Sequence, residues 1–224
     1  MAQEAPRHGC ATKYGITVPG TGQGFPHRAT AALRAMLPLG AQVELEVEVS
    51  NRVVDPVADG IDVALRVRTT LSDSASYIVK RLGETGAILV AQPELLARFD
   101  PVRGPADLIK LPTVAMSARQ GQNEWELYGP EGASLTVTHR PRYMASDLLT
   151  LREGVEQGIG VGILPDYMCC DALKAGRLVQ VLPQWAPLPG IIHAVFASRR
   201  GMAPAVRHFL DYLGEQLPVH HPKI

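Results

Sequence analysis

Two apolar runs, Ala87-Ile88-Leu89-Val90-Ala91 and Ile191-Ile192-His193-Ala194-Val195-Phe196-Ala197, indicate the fold class of this 224-residue chain. Continuous apolar runs of this length are typical of strands that are covered on both faces. Amphipathic helix patterns and further short strand patterns alternate on either side of them. The sequence therefore predicts an α/β fold with largely parallel sheets.

On the N-terminal side, a predicted strand at 14–18 leads into a glycine-rich turn, Pro19-Gly20-Thr21-Gly22-Gln23-Gly24. A helix beginning at Pro26 is expected next, because proline suits a first helical position. Val43–Val49 alternates apolar residues with glutamates, as a half-buried strand does. A short helix capped by Asp55 and ended by Gly60 should then precede a strand at Val63–Val67.

On the C-terminal side, Ser146 or Asp147 can cap a helix that ends near Gly158. A strand at Gly160–Leu164 follows, and Pro165 should open a further helix that Gly176 stops. The spacing of apolar residues after Pro204 predicts a last helix.

Composition excludes several classes of protein. The 22 basic and 22 acidic residues balance, whereas a DNA-binding module usually has a strongly basic face. No run approaches the roughly 18 apolar residues of a membrane-spanning helix, and residues 1–13 contain no apolar stretch of the kind found in signal peptides. We therefore expect no DNA contact, no membrane association and a cytoplasmic location. The three cysteines imply neither a disulfide framework nor a zinc site, and we expect them to be small buried side chains.

The chain shows no catalytic constellation, so we expect no enzymatic activity, no cofactor and no metal. The seven histidines have no metal-ligand spacing, and no GxSxG motif is present. His193 lies inside an apolar strand and is interpreted as a core histidine. Gly158-Ile159-Gly160-Val161-Gly162 lies between a helix and a strand, whereas phosphate-binding loops lie between a strand and a helix. The Gly20–Gly24 turn allows two interpretations: an anion site at a helix N-terminus, or a tight turn that needs glycine.

Five blocks follow one another in a characteristic order and spacing. They are Leu45–Asp55 (LEVEVSNRVVD), Val57–Arg66 (VADGIDVALR), Lys80–Gly83 (KRLG) with Leu89–Leu96 (LVAQPELL), Ser146-Asp147, and Gly158–Pro165 (GIGVGILP) with Leu173–Leu182 (LKAGRLVQVL). Together they resemble the effector-binding (substrate-binding) domain of LysR-type transcriptional regulators. No segment of the chain resembles that family's helix-turn-helix.

The resemblance implies a type-2 periplasmic-binding-protein-like fold, in which two α/β lobes are joined by two crossover strands. Lobe I would comprise residues 14–91 plus 190–217, and lobe II residues 92–189. The strands at 87–91 and 191–197 would be the crossovers. Residues 1–13 would be a disordered extension, and residues 218–224 a polar tail.

The resemblance also implies a small-molecule effector, with anionic metabolites among the candidates, bound between the lobes. The ligand-binding residues carried over by position are Pro19, Gly20, Thr21, Ser50, Asn51, Arg66, Met116, Ser117, Ser146 and Asp147. Arg66 is interpreted either as a ligand partner or as part of a structural ion pair. A homodimer or tetramer is expected, formed through the first helix and the 43–49 strand.

Two functions of different classes remain open on the sequence. The first is the effector-sensing domain of a LysR-type regulator, and the second is a solute-binding protein with the same fold. A solute receptor would need an export signal, and the N-terminal residues do not resemble one.

Overall fold

The computed structural model describes residues 16–17, 55–70, 77–116, 120–197 and 204–216. The strands are β1 (Ile16–Thr17), β2 (Val63–Arg68), β3 (Ile78–Thr85), β4 (Ala87–Ala91), β5 (Val114–Ala115), β6 (Asn123–Tyr128), β7 (Ser134–His139), β8 (Tyr143–Met144), β9 (Gly162–Pro165), β10 (Val179–Gln180) and β11 (Gly190–Phe196). The α-helices are α1 (Pro93–Leu96), α2 (Leu148–Glu156), α3 (Asp166–Lys174) and α4 (Pro204–Gln216), and short 3-10 helices span Pro105–Lys110 and Pro130–Gly132.

The described strands form two principal sheets. The first has the order β1-β2-β11-β3, and the second has the order β10-β4-β9. Within them only β1 and β2 run parallel, and every other pairing is antiparallel. The expectation of largely parallel sheets is therefore wrong for the described strands. Hydrophobic patterns place a strand in a sheet but carry no information about the direction of its neighbours.

The chain passes from the first sheet to the second at Gly86. The last residue of β3, Thr85, pairs with Gly190 in the first sheet, and the first residue of β4, Ala87, pairs with Pro165 in the second. The 182–189 segment, which begins with Leu182 at a φ of 50°, returns the chain to β11. The lobe boundaries stay a prediction. Because β4 pairs within the second sheet, the structure supports a boundary between lobe I and lobe II at Gly86 and not at residue 91.

β4 is covered on both faces, as its apolar run predicts. Ile88 and Val90 lie in a core cluster with buried residues of α2 and α3. Leu89 and Ala91 lie in a second cluster with the 105–110 3-10 helix and the β6-β7 hairpin. Alternate side chains of one strand thus serve two cores, which explains why the run contains no polar residue.

Local signals explain several helix boundaries. Pro165 is the N-cap of α3, and Gly176 follows this helix with a φ of 69°, a conformation that favours glycine. The helix expected after Asp55 was wrong, because residues 56–60 form a turn. Asp55 nevertheless behaves as a cap, since its carboxylate accepts the N–H groups of Val57 and Ala58 at 2.9 and 3.1 Å.

The last helix, α4, begins at Pro204 as expected and buries Val206, Phe209, Leu210 and Leu213. An ion pair of 2.8 Å between Lys80 and Asp211 joins α4 to β3. The predicted helix at Pro26, the strand at 43–49, the extension at 1–13 and the tail at 218–224 lie outside the described residues.

Candidate functional site

Four of the ten predicted ligand-binding residues lie in the described part of the chain: Arg66, Met116, Ser146 and Asp147. The other six lie outside it, namely Pro19, Gly20, Thr21, Ser50, Asn51 and Ser117. The described residues therefore form one wall of the predicted site, together with Arg66.

Parallel pairing of β5 and β8 brings Met116 close to Ser146 and Asp147. Val114 pairs with Tyr143 and Ala115 with Met144, and the N–H of Ala145 donates to the carbonyl of Ala115 at 3.3 Å. Met116 directly follows β5, and Ser146 lies two residues beyond the end of β8. Since both strands end at the same edge, these side chains occupy one part of the molecular surface, where Met116 is 39% exposed.

Asp147 is the N-cap of α2. Its carboxylate accepts the N–H of Thr150 at 2.9 Å, and its carbonyl accepts the N–H of Leu151. Hydrogen bonds from Thr150, its side chain first and then its backbone, hold the pKa of Asp147 below its usual value. An ionised carboxylate thus already occupies the start of this helix and uses an N–H donor that an anionic ligand would need.

Arg66 is half-buried in β2 and pairs across the sheet with His193 of β11. Burial and the neighbouring charge of Arg68 lower the pKa of Arg66, whereas Asp55 acts in the opposite direction. The pKa of Asp55 is itself lowered, chiefly by a hydrogen bond from Tyr77. Asp55 acts on Arg66 through its charge, and both interpretations of Arg66, as a ligand partner or as part of a structural ion pair, stay predictions.

His193 is a core histidine, as its apolar surroundings predicted. It is 3% exposed, and its Nδ1 lies 3.1 Å from the carbonyl oxygen of Ile191. Burial is the main cause that lowers its pKa, so the ring is held neutral inside the first sheet.

The two cysteines of α3 lie in different surroundings. Cys169 is fully buried, and burial raises the pKa of its thiol to about 12. Cys170 is partly exposed, and its Sγ donates to the carbonyl of Asp166. The prediction of buried cysteines is thus confirmed for Cys169 but only in part for Cys170, and Cys10 lies outside the described residues. Within the described ranges, no group of three or more His, Cys, Asp or Glu side chains could hold a metal ion.

The Gly158–Gly162 motif provides close packing. A Cβ on Gly160 would lie 2.8 Å from the carbonyl oxygen of Pro112, next to the bridge between Thr113 and Val161. A Cβ on Gly162 would lie 2.8 Å from Val114. These glycines let β9 approach the chain just before β5, which supports the structural interpretation of the motif.

A buried polar cluster at His139 was missed by sequence reasoning. The His139 Nδ1 lies 2.6 Å from the Thr113 hydroxyl, and its ring lies 4.0 Å from that of Trp125, centroid to centroid. Burial lowers the pKa of His139 to about 4. Its buried Nε2 has no hydrogen-bond partner within the described residues. The available signal was the alternation of β7, which buries Val137 and then His139.

The His139 cluster supports the wall that carries Met116. The Thr113 carbonyl accepts the N–H of Arg142 at 2.8 Å, and Thr113 also bridges to Val161. Thr113 therefore links three segments immediately before β5. Four consecutive residues, from Thr113 to Met116, connect the buried histidine cluster to the exposed edge.

Comparisons with known proteins agree with this architecture. The family model described as "LysR substrate binding domain" matches residues 16–218. This chain belongs to the LysR substrate-binding domain family. The regulatory domain of AphB from Vibrio vulnificus superposes with a TM-score of 0.71 at 24% identity, covering 90% of this chain and 98% of that one. The CrgA regulatory domain from Neisseria meningitidis gives a TM-score of 0.73 at 20% identity, covering 92% and 99%. Both establish the two-lobed, type-2 periplasmic-binding-protein-like α/β fold.

The curated relatives are longer transcriptional regulators. The HTH-type regulator PtxR of Pseudomonas aeruginosa is 31% identical over 176 residues, covering 79% of this chain and 55% of PtxR. The probable HTH-type regulator LtrA of Klebsiella pneumoniae is 29% identical over 180 residues, covering 79% and 57%. The LysR substrate-binding domain described here thus spans a little over half the length of these relatives. No helix in the described ranges is both long and apolar enough to cross a membrane.

Proposed function

We propose that this domain is the effector-sensing part of a LysR-type transcription regulator, acting in the cytoplasm and without enzymatic activity. The family match over residues 16–218 carries the proposal, because it covers both sheets and the segments that join them. Ligand binding between the lobes would shift a dimer or tetramer between two states, and an attached DNA-binding part would read that shift. The alternative of a solute-binding protein is not favoured, since the curated relatives are transcriptional regulators.

We further propose that the effector contacts the edge formed by Met116, Ser146 and Asp147 on lobe II. Ligands in such folds lie at the carboxyl ends of strands, and β5 and β8 both end at this edge. Opposite this edge, the predicted contacts are those of the 19–21 turn and of Ser50 and Asn51. This arrangement supports a ligand whose polar group faces Ser146 and whose neutral part lies beside Asp147. An anionic group would fit better against the 19–21 turn or Arg66.

The experiment begins with a thermal-shift screen of small metabolites, followed by calorimetric titration of the ligand that it finds. A lost hydroxyl contact costs about 0.5–1.5 kcal/mol, or about 1.5–3 kcal/mol when the partner is charged. Ser146→Ala and Thr21→Ala should therefore weaken binding from a few-fold to about a hundredfold without unfolding the domain.

Ser134→Ala is the matched control, because Ser134 is an exposed serine of the β6-β7 hairpin outside the predicted site. It should leave the affinity unchanged. Equal affinity in wild type, Ser146→Ala and Thr21→Ala, with folding intact, would place the effector elsewhere on the domain.

A further inference from the structure

A separate pocket of about 350 Å³ opens on lobe II between the loop at 99–104 and the 3-10 helix that follows it. It contains none of the ten predicted effector-binding residues. Its volume is at the lower end of the range for small-molecule sites. The apolar part of the lining comprises Phe99, Pro101, Val102 and Leu111, and Phe99 is 38% exposed.

One carboxylate of the lining holds the pocket in shape. Asp107 accepts the backbone N–H groups of Arg103 and Gly104 at 3.1 and 3.3 Å. It also pairs with the Lys110 ammonium at 2.8 Å. The charges of Asp107 and Lys110 are thus satisfied within the wall, and the loop is tied to the 3-10 helix.

Two charged side chains of the lining remain available to a ligand. Asp100 and Arg103 are both exposed, and within the described residues neither side chain forms a hydrogen bond or an ion pair. Asp100 acts on the Lys110 ammonium only through its charge, and that ammonium is already paired with Asp107. The pocket therefore offers one carboxylate and one guanidinium beside an apolar surface. A simple carboxylate would leave Asp100 without a direct partner, and a polyanion would be repelled by the two aspartates.

We propose that this pocket binds a zwitterionic α-amino acid with an apolar side chain. The ligand carboxylate would pair with Arg103, whose planar guanidinium suits a carboxylate, and the ligand ammonium with Asp100. The apolar side chain would contact Phe99, Val102 and Leu111. The site would be a second small-molecule site of the domain, distinct from the proposed effector site.

The pocket is connected to both tryptophans of the chain. Leu111 and Val102 pack in the same apolar cluster as Trp125 and Trp185. A ligand that orders this part of the cluster should therefore alter tryptophan fluorescence. This readout needs no knowledge of the effector.

The test is titration of the full chain with L-leucine, followed by tryptophan fluorescence and calorimetry. We expect saturable binding with a Kd of about 0.1–1 mM, as for a small, partly open site. The two half-ligands, 4-methylpentanoate and isopentylamine, should each bind at least about tenfold more weakly. Arg103→Gln and Asp100→Asn should each weaken L-leucine binding about tenfold.

Arg98→Gln is the matched control, because Arg98 is an exposed arginine outside the lining and should not change the affinity. Ser146→Ala should also leave L-leucine binding unchanged, which separates this site from the effector site. Absence of saturable binding up to about 10 mM would overturn the proposal. Equal binding of 4-methylpentanoate and L-leucine, or unchanged affinity in both pocket variants, would overturn it as well.

Discussion

Acidification from pH 7 to pH 5 should destabilise this domain through His139. The ring is 6% exposed, and its pKa is about 4 in the folded chain against 6.5 for an unperturbed histidine. The unfolded chain therefore takes up a proton at a pH where the folded chain does not. The stabilising contribution is complete above pH 6.5 and is lost as the pH falls toward 4.

The magnitude follows from the two pKa values. Between pH 7 and pH 5 the linkage relation gives a decrease of about 2 kcal/mol in the free energy of unfolding. Below pH 4 the full decrease is about 3.4 kcal/mol. For a domain of this size, 2 kcal/mol corresponds to a fall in Tm of roughly 4–8 °C.

The assay is urea unfolding of wild type and His139→Asn at several pH values from 7 to 5. Asparagine can keep a hydrogen bond to Thr113 but does not titrate. Between pH 7 and pH 5 the free energy of unfolding should therefore fall by about 2 kcal/mol less in the variant than in wild type. Carboxylates with lowered pKa values, such as Asp147, act equally on both proteins and cancel in the difference. His208→Asn, which removes an exposed histidine of α4, should behave as wild type. Parallel pH profiles for wild type and His139→Asn would refute the reasoning.

Three further predictions concern packing, assembly and DNA. Gly160→Ala should lower the free energy of unfolding, measured by chemical denaturation, by about 1–3 kcal/mol, because its Cβ would meet the backbone at Pro112. Gly104→Ala should leave that free energy unchanged, because the space around a Cβ at Gly104 is open. Light scattering should give the mass of a dimer or a larger oligomer. A strictly monomeric mass at high concentration would instead indicate that the glutamates of the predicted 43–49 strand keep its edge solvated. In a gel-shift assay at physiological salt the chain should show only background DNA binding, and nanomolar, sequence-specific binding would contradict this expectation.

The elements that sequence reasoning identified best are those with a strong boundary signal at each end. Asp147 and Gly158 bracket α2, and Pro165 and Gly176 bracket α3, because capping and positive-φ glycine are local requirements. The apolar run of β4 likewise revealed that both of its faces are covered. These features depend on neighbouring residues only and can therefore be seen in one sequence.

What could not be predicted depends on contacts between distant residues. The antiparallel direction of β11 against β2 and β3 is set by the route of the chain between the two sheets. The His139 cluster joins β7 to Thr113, which lies 26 residues earlier. For the site, the family pattern placed both Met116 and Ser146 among the ligand-binding residues, but only the pairing of β5 with β8 explains their proximity.

The single-residue passage at Gly86 has a mechanical consequence. Gly86 lies between two ladders of paired strands, and its carbonyl accepts the N–H of Asp166 at 3.2 Å at the edge of the second ladder. The return segment at 182–189 contains three prolines and bridges to the β6-β7 hairpin at Ala186. We expect the connection at Gly86 to act as a pivot and the proline-rich return segment to act as a stiff tether. We expect a rotation of the second sheet relative to the first to be absorbed in the torsions of Gly86, at the expense of the Asp166–Gly86 hydrogen bond but without breaking the strand pairs of either ladder. Hydrogen exchange should then be fast at the Gly86 amide and slow at Leu82 and Leu89, and ligand binding should slow it at the pivot alone.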